Sequence, residues 1–366
     1  MKRRDFIRAA AGVAGTFASP SSIFAQSRPC PPPLVTAGGE STVETSCGTQ
    51  SSGSTVLGSL IASLGVKQWV QLPVAWSGGS NAFWRTSNAS GSLLDYSHDG
   101  AYDATRKKVA FVGGGYGNCG YVTYDEVGNT WAMAEQSGDG IIHAWDHQAY
   151  DASRGHLYYS DELGGSTRRF TIANGTKTPA YAAGPWSGAS DTYMMAWWPS
   201  LDAAVSISRG GIVKRLLAGT TTWVDWTTTG WTGGYQCMMA HDHVRNVMWF
   251  GGGSGSERTF WKLNADGTSQ VATTNGPTLY VTQSILLCDP LSGNPVVLNV
   301  STGTVSEYVV GNGWSTVSTT PPSGLRRSRS VGIPLSGHDS GRGILMYCTV
   351  GDGVGSDGQV WLYRHA

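Results

Sequence analysis

With 366 residues, 51 of them glycine and only 14% charged, the chain reads as strands and turns rather than long helices, and it is long enough for one large β domain. Its 25 basic and 25 acidic residues balance and no long basic run follows residue 8, which argues against nucleic acid as a partner. No apolar run reaches the roughly 18 residues of a membrane-spanning helix, so no membrane span is expected.

In chain order, the first expected element is a signal peptide over residues 1–25. Lys2, Arg3, Arg4 and Arg8 form its basic start, residues 9–18 are small and weakly apolar, and Ala25 ends a small-residue cleavage site. The run Arg3-Arg4-Asp5-Phe6-Ile7-Arg8 resembles the twin-arginine export motif, with Lys2 where a Ser or Thr is usual. That resemblance implies a periplasmic or secreted protein, with the twin-arginine translocation machinery as its partner during export. Such substrates are typically exported folded, often with a cofactor in place; the sequence assigns none. Removing residues 1–25 takes away four basic residues and one acidic residue and leaves a slightly acidic remainder.

Residues 26–65 read as an arm rich in Pro, Gly and Ser. Cys30 and Cys47 flank its centre, and in an oxidising compartment a disulfide between them is expected. Cys119, Cys237, Cys288 and Cys348 lie in or beside apolar strands and read as small buried hydrophobes.

From residue 66 to residue 366 the chain repeats itself. A residue pair, usually an aromatic or His followed by Asp, then a short turn and an apolar strand recur, anchored at Tyr102, Tyr150, Trp198 (with Pro199 in place of the Asp), His241, Cys288 and His338, at spacings of 43 to 50 residues. Each period has room for four strands, which is the signature of a propeller blade. Glycine runs follow the second strand (Gly113-Gly114-Gly115 and Gly251-Gly252-Gly253), and a third strand ends in Tyr124-Asp125 before Asn129-Thr130-Trp131. On these residues the repeat resembles the kelch family. The expected fold is therefore all-β, a six-bladed kelch-like β-propeller, with Trp131 wedged between blades. The last period stops without an outer strand, while residues 66–74 form an orphan strand with its own Trp69. Since an open ring would leave two unpaired strand edges, residues 66–74 are expected to close the sixth blade. Residues 75–92 are too short for a seventh blade and read as a long loop.

The resemblance places ligand chemistry on the face shared by the loops entering the inner strands and those joining second and third strands. On that face lie Asp95, His98, His143, Trp145, Asp146, Asp191, Tyr193, Gln236 and Arg329, with Arg168, Arg209 and Arg258 on the second-to-third-strand loops. The leading expectation is an exported propeller binding a glycan or polar small molecule at the channel mouth, through Asp95, His98, Trp145, Asp146, Asp191, Gln236, Arg258 and Arg329. One alternative is a carbohydrate-active enzyme, a lyase or isomerase on acidic sugars. There His143 or Tyr193 would accept a proton and Arg168 or Arg209 would hold a carboxylate. The other is an envelope protein-interaction scaffold. His98, Asp99, Asp146 and His147 are the best-placed metal-ligand types, ahead of His241 and His243, which fall at the turn end of an inner strand; no metal is assigned. A copper-radical oxidase of the galactose-oxidase kind shares the kelch-like propeller. It also needs a Cys–Tyr crosslink, two His and usually a further β domain carrying a ligand, so copper-oxidase chemistry is not expected.

Overall fold

A computed structural model describes residues 55–76, 94, 97–115, 118–137, 144–160, 165–186, 193–234, 237–253, 257–280, 284–322, 325, 330–350 and 358–366. The signal peptide and the Cys30–Cys47 pair lie outside the described residues.

Among the described residues the strands form six sheets, five of four strands and one of five. Their innermost strands are Ala101–Asp103, Gln148–Asp151, Tyr193–Trp198, Cys237–Asp242, Ser284–Cys288 and Ser330–Pro334. In each sheet the four blade strands are antiparallel neighbours, and the inner strands stand side by side in a ring. This is a six-bladed β-propeller. Burial follows from the stacking of blades. The second strand of a blade is covered on both faces, so it is apolar without alternation, as in Val247–Gly252, where every residue is buried. Outer strands face solvent and are polar, as in Val224–Thr228.

Closure occurs as the unpaired edges required. Trp69–Gln71 pairs antiparallel with Gly358–Arg364, Trp69 opposite Tyr363, and becomes the outer strand of blade six. Trp69 stacks on Tyr363 with ring centroids 4.5 Å apart. Ala75–Trp76, expected within a loop, adds a fifth strand parallel to Thr130–Ser137 at the edge of blade one. Trp131 is fully buried among Phe111, Tyr124, Ile344 and Met346, the packing of blade one against blade six.

A helix that sequence reasoning does not anticipate spans this seam. Val56–Ser63 buries Leu57 and Ile61 completely against both blades. Thr55 caps its start, accepting from the Gly58 N–H at 2.9 Å and donating to Glu126 Oε1 of blade one at 2.8 Å. Blade six holds the other end: the Arg342 guanidinium donates to the carbonyls of Ile61 and Ala62, and Arg364 to that of Leu64. Cations on the last carbonyls complement the helix dipole. Loss of both Thr55 bonds in Thr55→Ala is expected to cost about 1–2 kcal/mol in a urea melt, whereas Ser63→Ala, which removes only an exposed bond to Leu60, leaves the midpoint in place.

The turns after the inner strands share a device. Asp103, Asp151 and Asp242 are buried, and each accepts from backbone N–H groups of its turn and from the guanidinium of the Arg three residues on, at 2.8 Å. Those arginines then reach the following blade: Arg154 forks onto Asp202, and Arg245 donates to Asn294 Oδ1. Gly293 is required beside this link. It sits at φ 72, and a Cβ there would run into Asp242 Oδ1.

Candidate functional site

The six inner strands enclose a cavity of about 430 Å³ on the propeller axis. Its walls are mostly apolar. Blades one to four contribute Ala101, Ala149, Ala196 and Ala240, and it is these small side chains that leave the space; Met239, Leu286, Leu287 and Cys288 complete the wall. At the turn end the rim carries Tyr102, Tyr150, Trp197, His241, His243 and Ser336. The Tyr102 hydroxyl is committed to Glu126 Oε2 at 2.6 Å. Trp197 is backed by Tyr158, stacked at 5.6 Å. Burial lowers the pKa of His241 to about 4, so its imidazole is neutral at pH 7.

At the other end the strands begin, and there the channel is plugged. The segments 97–100 and 144–148 are sewn across blades: Ser97 bridges to Trp145, Asp99 to Gly332, and His147 to Met195. Gln148 of blade two accepts from the Val112 N–H at 2.7 Å and donates to the Val112 and Asp99 carbonyls. The Asp146 carboxylate accepts from the Met239 N–H of blade four, and its carbonyl accepts from the Met195 N–H of blade three at 2.7 Å. His98 stacks on Trp145 at 5.5 Å and His147 on Tyr193 at 3.8 Å. Burial, reinforced by His147, drives the pKa of His98 down to about 3.

Asp99 forms the floor of the cavity. Its Oδ1 is shielded from solvent and has no hydrogen-bond partner. Burial pushes its pKa up to about 8. Asp146 is also raised well above the usual carboxylate range, first by burial and then by the charge of Asp99. The two acids therefore act as a pair that resists carrying two negative charges.

The structure brings His98, Trp145 and Asp146 together, but in the plug rather than on an open rim. Tyr193 is buried beside them, its hydroxyl donating to the Ser160 carbonyl at 2.9 Å. Arg168 is buried within blade two, opposite Tyr159. Arg209 and Arg258 are exposed on blades three and four, and none of the three arginines lines the cavity. Asp95, His143, Asp191, Gln236 and Arg329 lie outside the described residues. The cavity lies towards the turn end of the inner strands, whereas His98, Trp145 and Asp146 lie at the end where the strands begin. Among the described residues no group of three or more His, Cys, Asp or Glu side chains is arranged to hold a metal ion. Cys237, Cys288 and Cys348 are buried free thiols, as their apolar surroundings predict.

What sequence reasoning misses is the cavity wall. The signal was present at one repeat position, where Ala101, Ala149 and Ala240 directly precede the anchor residue.

No family model matches the chain, and no curated protein matches it. Among solved structures, a structural genomics protein of unknown function from Bacteroides thetaiotaomicron VPI-5482 superposes with a TM-score of 0.52 at 9% identity, over 80% of this chain and 76% of that one. A chain of the mitotic checkpoint complex gives 0.48 at 10% identity, over 82% and 94%. Streptogramin B lyase gives 0.45 at 10% identity, over 77% and 96%. At 9% identity the likeness to the first of these is one of fold alone.

Proposed function

We propose that the protein is an exported binding propeller that takes a polar small molecule into its central cavity from the turn end. One observation carries this: all six inner strands surround a space of about 430 Å³, sealed at one end, that four alanines keep open. A concave, largely apolar pocket with a few convergent polar groups is the usual form of a small-molecule site. Of the two ligand classes expected from the sequence, the wall favours a polar small molecule over a glycan, since Ala, Met and Leu offer sugar hydroxyls no partners. The twin-arginine-like run at Arg3-Arg4 supports export. The glycine runs and the Tyr124-Asp125 to Trp131 segment support a kelch-like type of blade. Among the described residues no helix is long and apolar enough to cross a membrane.

The test is a filled cavity. Small molecules are screened on the wild type by the emission of tryptophan, Trp197 being on the rim. Any ligand found is expected to lose at least about tenfold in affinity on Ala240→Phe, with the melting temperature kept within a few degrees. A ligand indifferent to Ala240→Phe but lost on Arg209→Ala would move the site to the opposite face.

A further inference from the structure

Resting on that cavity reading, we infer that the ligand is an organic cation, an ammonium group on an apolar body, with its charge held by Asp99. Among the described residues that line the cavity none is Lys or Arg, and the acids and histidines are Asp99, Asp103, His241 and His243. Asp103 is already saturated by Arg106. His241 is held neutral. Asp99 is thus the acid left to act on a ligand, and its Oδ1 is shielded and unpartnered.

A shielded carboxylate oxygen without a donor is costly, and native proteins seldom keep one without a reason. The cross-blade links at this residue run through its backbone: Gln148 uses the Asp99 carbonyl and the bridge to Gly332 is backbone, while the carboxylate has a hydrogen bond from its own N–H. Asp146 lies behind it and strengthens the demand for positive charge, since the Met239 N–H answers only part of that carboxylate.

The surroundings narrow the cation. A divalent metal requires several convergent ligands, and among the described residues no group of three or more His, Cys, Asp or Glu is arranged to hold one. An anion meets two acids. A neutral polyol finds few partners. An ammonium on a hydrocarbon or aromatic body satisfies both ends, with its charge on Asp99, its body along the alanines, and the rings of Trp197, Tyr102 and Tyr150 at the mouth. The charged and titratable groups around Asp99 are His98, Asp146 and His147 on the plug side and Asp103 with Arg106, His241 and His243 on the cavity side.

The test uses three probes of one shape, phenethylammonium, 2-phenylethanol and 3-phenylpropionate, titrated calorimetrically at pH 8.5. Phenethylammonium is expected to bind at least about tenfold more tightly than the alcohol, and the carboxylate not at all. Asp99→Asn, which keeps the side-chain shape, is expected to bring the amine down to the alcohol's affinity and to leave the alcohol within about twofold. Asp146→Asn keeps an acceptor for Met239 and is expected to weaken the amine less. Titration at pH 7 in two buffers of different ionisation enthalpy should show proton release on amine binding by the wild type and none by Asp99→Asn. An amine affinity unchanged in Asp99→Asn, or an alcohol or carboxylate that binds as well as the amine, overturns the cation inference and leaves the cavity reading standing if Ala240→Phe still blocks them. Failure of all three probes also overturns it; the cavity reading then falls only if the wider screen is indifferent to Ala240→Phe.

Discussion

Replacing Asp242 with alanine is expected to lower the free energy of unfolding by about 3–5 kcal/mol, the range for removing one partner of a buried charged network. The carboxylate is fully buried and accepts four hydrogen bonds: Oδ1 from the N–H groups of Val244 and Arg245, and Oδ2 from Arg245 Nη1 at 2.8 Å and Trp249 Nε1 at 3.1 Å. Alanine leaves those donors without an acceptor, and buried donors without partners cost about 1–3 kcal/mol each before relaxation and water entry offset part of it. It also frees Arg245, so the link to Asn294 Oδ1 of blade five weakens. Urea denaturation measures the loss. Asp125→Ala is the control: that carboxylate is half exposed and accepts from the Gly128 N–H, and its removal should cost under about 1 kcal/mol. Equal losses for the two variants would mean that the buried turn contributes nothing beyond an ordinary surface turn.

Asp99→Asn, in contrast, is expected to stabilise the protein at alkaline pH and to flatten its pH profile. The Asp99 carboxyl moves from an ordinary value of 3.8 to about 8 in the folded protein. Between those values the folded chain holds a proton that the unfolded chain has released. Stability from that proton is fully present below about pH 4 and is lost as pH rises through about 8. Asp146 is shifted in the same direction and steepens the decline. Wild-type melting temperature should therefore fall from pH 5 to pH 8.5. Asparagine cannot ionise and also removes the charge that burdens Asp146, so at pH 8.5 the variant should be more stable by on the order of a few kcal/mol. Thermal melts at pH 5, 7 and 8.5 decide it. Parallel profiles for the two proteins would show that Asp99 titrates normally. Stability gained by losing an acid that lines a cavity is the pattern of a residue kept for binding.

The two variants differ in how visible their sites are before folding. Asp242 belongs to a written pattern, Asp followed three positions later by Arg, which recurs at Asp103, Asp151 and Asp339. Its turn is local, so spacing alone announces it; the reach of each Arg into the next blade needs the ring. Asp99 belongs to no pattern that ranks it above His98 or Asp146. Its distinction is that it lines the cavity while the plug uses its neighbours, and that its Oδ1 is shielded without a partner. The helix Val56–Ser63 escaped for another reason. Eight residues without a charge, beside Gly and Ser, carry too little helical signal to stand alone, and the helix is held by Glu126, Arg342 and Arg364 from far along the chain.

By itself the sequence determined the all-β class, the six blades, the turn that ends each inner strand and the strand at residues 69–71 that closes the ring. These follow from short-range spacing and from the rule that strand edges find partners. Only the tertiary structure decided which end of the channel is open and which acid lines it. That outcome depends on how residues from six blades converge on one axis: Asp146 and Gln148 seal one end, while Ala149, Ala196 and Ala240 fail to fill the other. Side-chain volume summed across distant repeats is a property of packing, and no spacing along the chain encodes it.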